Sequence, residues 1–180
     1  AFSGTVSTPV AFAAASTTNT ITFSGLVQGS SYYFRVQARN NEPLGPVPTA
    51  VSAPGQSQTL AVAVSGLTFS TPTVTTTSAV WSWNPNGNGG ATQYRLYESQ
   101  DGATENDLTN IMGVSGVVSS TFTRTLLSPN HHYTLRVQPF TATGASAGST
   151  SVGGFTLANA PAALTITSIS SGTVSLSWNA

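Results

Sequence analysis

Apolar and polar residues alternate with a period of two along nearly the whole 180-residue chain, in short runs separated by Gly, Pro, Asn and Ser clusters. In SAVWSW, Ala79, Trp81 and Trp83 fall on one side. In YYFRVQAR, Tyr32, Phe34, Val36 and Ala38 oppose Tyr33, Arg35, Gln37 and Arg39. YTLRVQ places Tyr133, Leu135 and Val137 on one face, and TVSLSW does the same with Val174, Leu176 and Trp178. Because successive side chains of a strand point to opposite faces, each run predicts a strand with one dry and one wet face. Helical periodicity is nearly absent, so the pattern predicts antiparallel sheets packed as a sandwich, with Trp81, Trp83 and Trp178 inside.

The pattern repeats. Arg35-Val36-Gln37 recurs as Arg136-Val137-Gln138, 101 positions later, and Trp83-Asn84 recurs as Trp178-Asn179, 95 positions later. LVQGSSY (Leu26–Tyr32) matches LSPNHHY (Leu127–Tyr133), with Leu and Tyr at the same spacing. A period near 100 fits one small sandwich per repeat.

Trp81-Ser82-Trp83, the turn residues Pro85 to Gly90, and Tyr94-Arg95-Leu96 together resemble strands B and C of a fibronectin type III domain. Leu127-Ser128-Pro129 leading to Tyr133 resembles that family's tyrosine corner before strand F; the first copy keeps Leu26 and Tyr32 but has Gln28 in place of the Pro. The resemblance implies an all-β fold of tandem fibronectin type III-like, immunoglobulin-like antiparallel β-sandwiches. Residues 61–158 would form one complete domain. Residues 1–60 would be the C-terminal part of a preceding one, with strands after C through G, and residues 159–180 would be strands A and B of a following one. Strand E of the second copy departs from the pattern. Arg124 stands where Phe23 stands in the first, and a bulge or register shift that turns Leu126 inward is expected in place of a buried charge. Against the complete copy, Ala180 falls at the position of Pro85. The expectation is a window on a longer tandem array; the alternative is a subunit whose open ends are completed by strand addition from neighbours.

Charge changes the picture. Charged residues make up 6% of the chain, net charge is zero, Lys is absent, and Ser and Thr number 53, so the polar surface is hydroxylic. Such a chain lacks the basic footprint of a nucleic-acid binder. No apolar run reaches the ~20 residues needed to span a bilayer, and membrane insertion is not expected. Without Cys there are no thiolate nucleophiles or Cys-ligated metals. A Lys-free, Thr-rich surface points to an extracellular or cell-surface protein of bacterial style.

Candidate chemistry is sparse. Gly144-Ala145-Ser146-Ala147-Gly148 satisfies the G-x-S-x-G pattern, which works as a nucleophile elbow only between a strand and a helix; here a hairpin loop is expected. Adjacent His131 and His132 would point to opposite faces of a strand and could not chelate one ion. Glu98, Asp101, Glu105 and Asp107 lie close together in sequence and could offer oxygen ligands to calcium, although the spacing is not that of an EF-hand. A solvated loop between strands C and C′ is the alternative. Arg95 and Tyr97 on strand C, with Arg136 and Gln138 on strand F, should share a wet face where an aromatic flanked by Arg could stack on a sugar; stabilising cross-strand pairs look the same in sequence.

No catalytic, cofactor or metal residues are assigned, and no enzyme activity is expected. The pattern fits a structural segment, a semi-rigid spacer or surface fibre element, whose partners are neighbouring repeats and other copies of itself. The alternatives are adhesion to a glycan or surface protein, through that wet face or the Pro-rich EPLGPVP loop (Glu42–Pro48), and a spacer within a secreted polysaccharide-degrading enzyme.

Overall fold

A computed structural model describes residues 20–38 and 48–179; Arg39 and all of EPLGPVP except Pro48 lie outside the described residues. In chain order, β1 (Ser31–Phe34) pairs with β2 (Gly55–Gln58). β3 (Ser65–Phe69) and β4 (Ser78–Asn84) are followed by β5 (Gln93–Gln100), β6 (Asn106–Asp107) and the one-turn helix α1 (Leu108–Ile111). Next come β7 (Thr121–Thr125), β8 (His132–Thr141), β9 (Gly144–Ala145) and β10 (Val152–Phe155), and the antiparallel pair β11 (Ala162–Ile169) and β12 (Val174–Asn179). One sheet runs β3-β4-β7, the other β10-β8-β5-β6 with β9 also on β8. They face each other as a sandwich.

The period-two pattern does what it predicts wherever a second layer covers it. Along β8, Tyr133, Leu135, Val137, Pro139 and Thr141 are buried while the residues between them are not. Ala79, Trp81 and Trp83 of β4 meet Tyr94 and Leu96 of β5 and Leu135 and Val137 of β8 in one core. Each fully buried side chain of this size contributes about 1.5–3 kcal/mol. Phe69 and Trp81 pack edge to face at 5.3 Å, as do Trp83 and Tyr94. The Trp81 indole Nε1 donates to Val152 O at 2.9 Å, joining the two sheets.

The corner before β8 is held by a clasp. Tyr133 accepts from the backbone N–H of Ser128 at 3.0 Å. The Thr156 hydroxyl donates to Ser128 O and accepts from His131 N, and Asn130 N donates to Leu157 O. The same set is built before β1: Val27 N to Tyr32 OH, Thr59 Oγ1 to Val27 O, Ser30 N to Thr59 Oγ1, and Gly29 N to Leu60 O. Gly29 and Asn130 both sit at φ +58°, a left-handed position that Gly and Asn adopt most readily. Beyond the strands the match continues. Ser52 exchanges two bonds with Val36 backbone as Ser149 does with Val137, and Gln37 caps Thr49 O as Gln138 caps Ser146 O.

The other hairpin is duplicated too. β3–β4 pairs Thr68 with Ser82 and Phe69 with Trp81 after a bulge at Gly66; β11–β12 pairs Thr165 with Ser177 and Ile166 with Leu176 after a bulge at Ala163. Hydroxyl pairs Thr68–Ser82 and Thr165–Ser177 bridge the strands at 2.9 and 2.7 Å.

Four expectations are corrected. β7 keeps regular register with β4, so Arg124 does point between the sheets; its Nε donates to Glu98 Oε2 from the opposite sheet at 3.0 Å, and pairing rather than a register shift satisfies the charge. Leu126 is 90% exposed at φ +61°, and Leu127 is the residue that enters the core. Trp178 is 57% exposed: the alternation defines a face, but among the described residues no second sheet covers β12. Val36 and Ala38, beyond the end of β1, are exposed as well. The connection after β5 is more than a solvated loop, since it carries β6 and α1. Asp107 caps α1 through Asn110 N, and Leu108 is buried in the core.

Replacing Arg124 with Leu leaves the Glu98 carboxylate, with its side chain only 14% exposed, without its partner. Arg124→Leu should lower stability by about 2 kcal/mol, while Arg124→Leu with Glu98→Leu should recover most of that loss. Urea midpoints at constant m-value measure both.

Candidate functional site

The outer face of the β5–β8 pair gathers the four residues singled out from sequence. Cross-strand register sets Arg95 opposite Gln138 and Tyr97 opposite Arg136. The Arg136 guanidinium lies 4.2 Å from the Tyr97 ring centroid, the Tyr97 hydroxyl donates to Gln138 Oε1 at 3.1 Å, and Arg95 covers the Phe140 ring at 4.7 Å. Gln138 also donates to Ser146 O. Two residues of this network carry no signal in the strand pattern. Glu105, from the connection before β6, accepts from Arg136 at 2.7 and 2.8 Å and from Ser151 Oγ at 3.0 Å. The backbone at Gly148 also lies against the guanidinium, so close that a Cβ there would be 2.6 Å from Nη1.

Chemically, this face is a ladder of cation–π and ion-pair contacts. A sugar seeking the Arg136 side of the Tyr97 ring would have to displace the guanidinium from both the ring and Glu105. Hydrogen bonding to Arg136 holds the Glu105 carboxyl below its ordinary range, and the same bond raises Arg136.

The remaining candidates disperse. Of the four clustered acids, Glu98 goes to Arg124, Glu105 to Arg136, and Asp101 to His131 Nδ1 at 2.6 Å and His132 N at 2.9 Å; Asp107 caps α1. Among the described residues no three acids, His or Cys converge as a metal site. His131 and His132 have different partners, the second ring lying 4.9 Å from Phe155. Gly144–Gly148 starts with β9 and runs on into the connection to β10, with no helix after it, and Ser146 N and Oγ both donate to Pro139 O. That is the hairpin connection expected from sequence. No helix among the described residues is long and apolar enough to cross a membrane.

Three carboxyls sit below their ordinary values of 3.8 for Asp and 4.5 for Glu: Asp101 through His131, Glu105 through Arg136 and Asp107 through Thr109. A depressed carboxyl adds stability that is complete above its unfolded value and is lost as pH falls through the lower folded one. The melting temperature should therefore be flat above about pH 5 and fall below about pH 4. Glu105→Gln should make that fall shallower, as read by calorimetry across the range.

No curated protein matches the chain. Among solved structures, the third fibronectin III domain of the human KIAA0343 protein is similar at 19% identity and a TM-score of 0.45, covering 56% of this chain and 85% of that one. A two-domain fibronectin type III segment from chicken tenascin gives 19% identity and 0.47, with coverage of 64% and 61%. Domains from titin give 19% and 0.46, with coverage of 74% and 43%. The Fibronectin type III domain model matches residues 62–153, the stretch that holds the Trp81 core, the Ser128–Tyr133 corner bond and both sheets up to the last two residues of β10. The chain belongs to the fibronectin type III domain family.

Proposed function

We propose that the chain is a non-catalytic structural segment of an extracellular tandem-repeat protein, acting as a semi-rigid spacer or surface fibre element. The observation that carries the reading is the duplicated geometry. The clasp at Tyr133 and Thr156 is built again at Tyr32 and Thr59, and the β3–β4 hairpin again as β11–β12, bulge included. Repeated units stacked along one chain add stability and length without needing a reactive centre. Clustering of the acids into private ion pairs and a cap supports the same reading, because it leaves a surface dominated by hydroxyls. Such surfaces pack side by side without burying unpaired charge. Neighbouring repeats, and other copies of the chain, are the partners this surface fits.

A spacer should resist load. Pulled from its ends, the unit at residues 61–158 should unfold in one step and lengthen the chain by roughly 30 nm. A force trace that extends without a discrete step would contradict the spacer reading. Saturable binding of a glycan that is lost in Tyr97→Ala would replace it with adhesion.

A further inference from the structure

The corner that precedes β1 does not stand apart from the sandwich. The loop joining β4 to β5 runs against it: Gly89 N donates to Gln28 O at 2.7 Å and Ala91 N to Gly29 O at 3.0 Å. Asn88 accepts from Val62 N and donates to Val62 O, so one side chain satisfies both backbone groups of the connecting segment. From the opposite side, Ala142 N donates to Gln58 Oε1, and the hydroxyls of Thr141 and Thr143 donate to Thr59 O and Gln58 O. The approach is close enough to exclude side chains. A Cβ at Gly29 would lie 1.9 Å from Thr92 Oγ1, and one at Gly89 would lie 2.0 Å from Ser30 Oγ and 3.0 Å from Gly29 O.

We propose that Gly29 and Gly89 form a matched joint that locks the β1–β2 segment onto the following sandwich at one angle, and that the residue at the corner position selects which loop can seat there. The partner that this corner fits is a β4–β5 type loop with Gly at the position of Gly89 and Thr at that of Thr92. The equivalent corner before β8 has the same clasp and the same φ but carries Asn130. An Asn side chain begins with the Cβ that Thr92 excludes, so the Asn130 corner rejects the loop that Gly29 accepts. The two corners of this chain are therefore not interchangeable. Inter-unit mobility is the default for small interfaces; close backbone bonding removes it here.

The inference rests on reading residues 20–60 as the end of one unit. It is tested by electron-spin distance measurement on the whole chain, which has no native Cys to interfere. Labels attach at Gln56→Cys on β2 and Thr123→Cys on β7, both exposed. The labelled parent should give one narrow distance distribution. Gly89→Ala should broaden it about twofold or more. Gly90→Ala, whose Cβ would meet nothing within 4 Å, should not. Gly29→Asn keeps the left-handed corner and should broaden the distribution, and Gly29→Asn with Thr92→Ala should narrow it again. A broad parent distribution, equal effects of Gly89→Ala and Gly90→Ala, or failure of Thr92→Ala to restore Gly29→Asn would overturn the proposal. A failed joint would still leave a spacer with a hinge, because the force trace reads the unit itself; a failed spacer reading would leave these distances unchanged.

Discussion

Both corners of this chain turn on a tyrosine hydroxyl that accepts a backbone N–H five residues upstream, Ser128 to Tyr133 and Val27 to Tyr32. A corner must leave one sheet and enter the other, and its backbone groups cannot use a ladder while they do so. Each unpaired group left dry would cost about 1–3 kcal/mol. The Tyr side chain solves part of this with one atom, and the Thr that follows the last strand solves the rest by donating to one corner carbonyl and accepting from a corner amide. With the corner fixed, β8 enters the sandwich in one register. Leu135 and Val137 then meet Trp81, and Arg136 meets Tyr97 on the opposite face. The core and the outer ladder therefore depend on the same turn.

Scarcity of charge shapes what the surface can do. Arg124 and Arg136 are bound to Glu98 and Glu105, and Asp101 to His131, so the few ionic groups are spent on joining elements that the backbone does not join. Arg124–Glu98 links the two sheets, and Arg136–Glu105 ties the β5–β6 connection to β8. Hydroxyl pairs such as Thr68–Ser82 do on the open faces what ion pairs do in more charged proteins. Their effect is insensitive to pH across the range where carboxylates titrate, which confines acid sensitivity to a few named groups.

The parts legible in the sequence were those set by local spacing. Alternation in SAVWSW and YTLRVQ marked the core faces of β4 and β8, the Leu-to-Tyr spacing marked both corners, and strand register brought Tyr97 and Arg136 together. What could not be read depends on groups distant in the chain. Arg124 looked like a misplaced charge because Glu98 approaches it from the other sheet. Glu105 reaches the ladder from a connection with no periodicity, and Leu108 enters the core from a helix too short to show one. The pattern around Trp178 set Val174, Leu176 and Trp178 on one side of a strand and said nothing about whether a layer covers it. The Gly29–Gly89 approach is likewise invisible in either loop alone.

Native-state amide hydrogen exchange tests most directly the claim that one clasp is built twice. The amides at Ser128, Asn130 and His131 donate to Tyr133, Leu157 and Thr156; those at Val27, Gly29 and Ser30 donate to Tyr32, Leu60 and Thr59. The account predicts slowed exchange at all six, with Tyr32→Phe releasing Val27 as Tyr133→Phe releases Ser128. Protection at Ser128, Asn130 and His131 with exchange at the unprotected rate at Val27, Gly29 and Ser30 would contradict it.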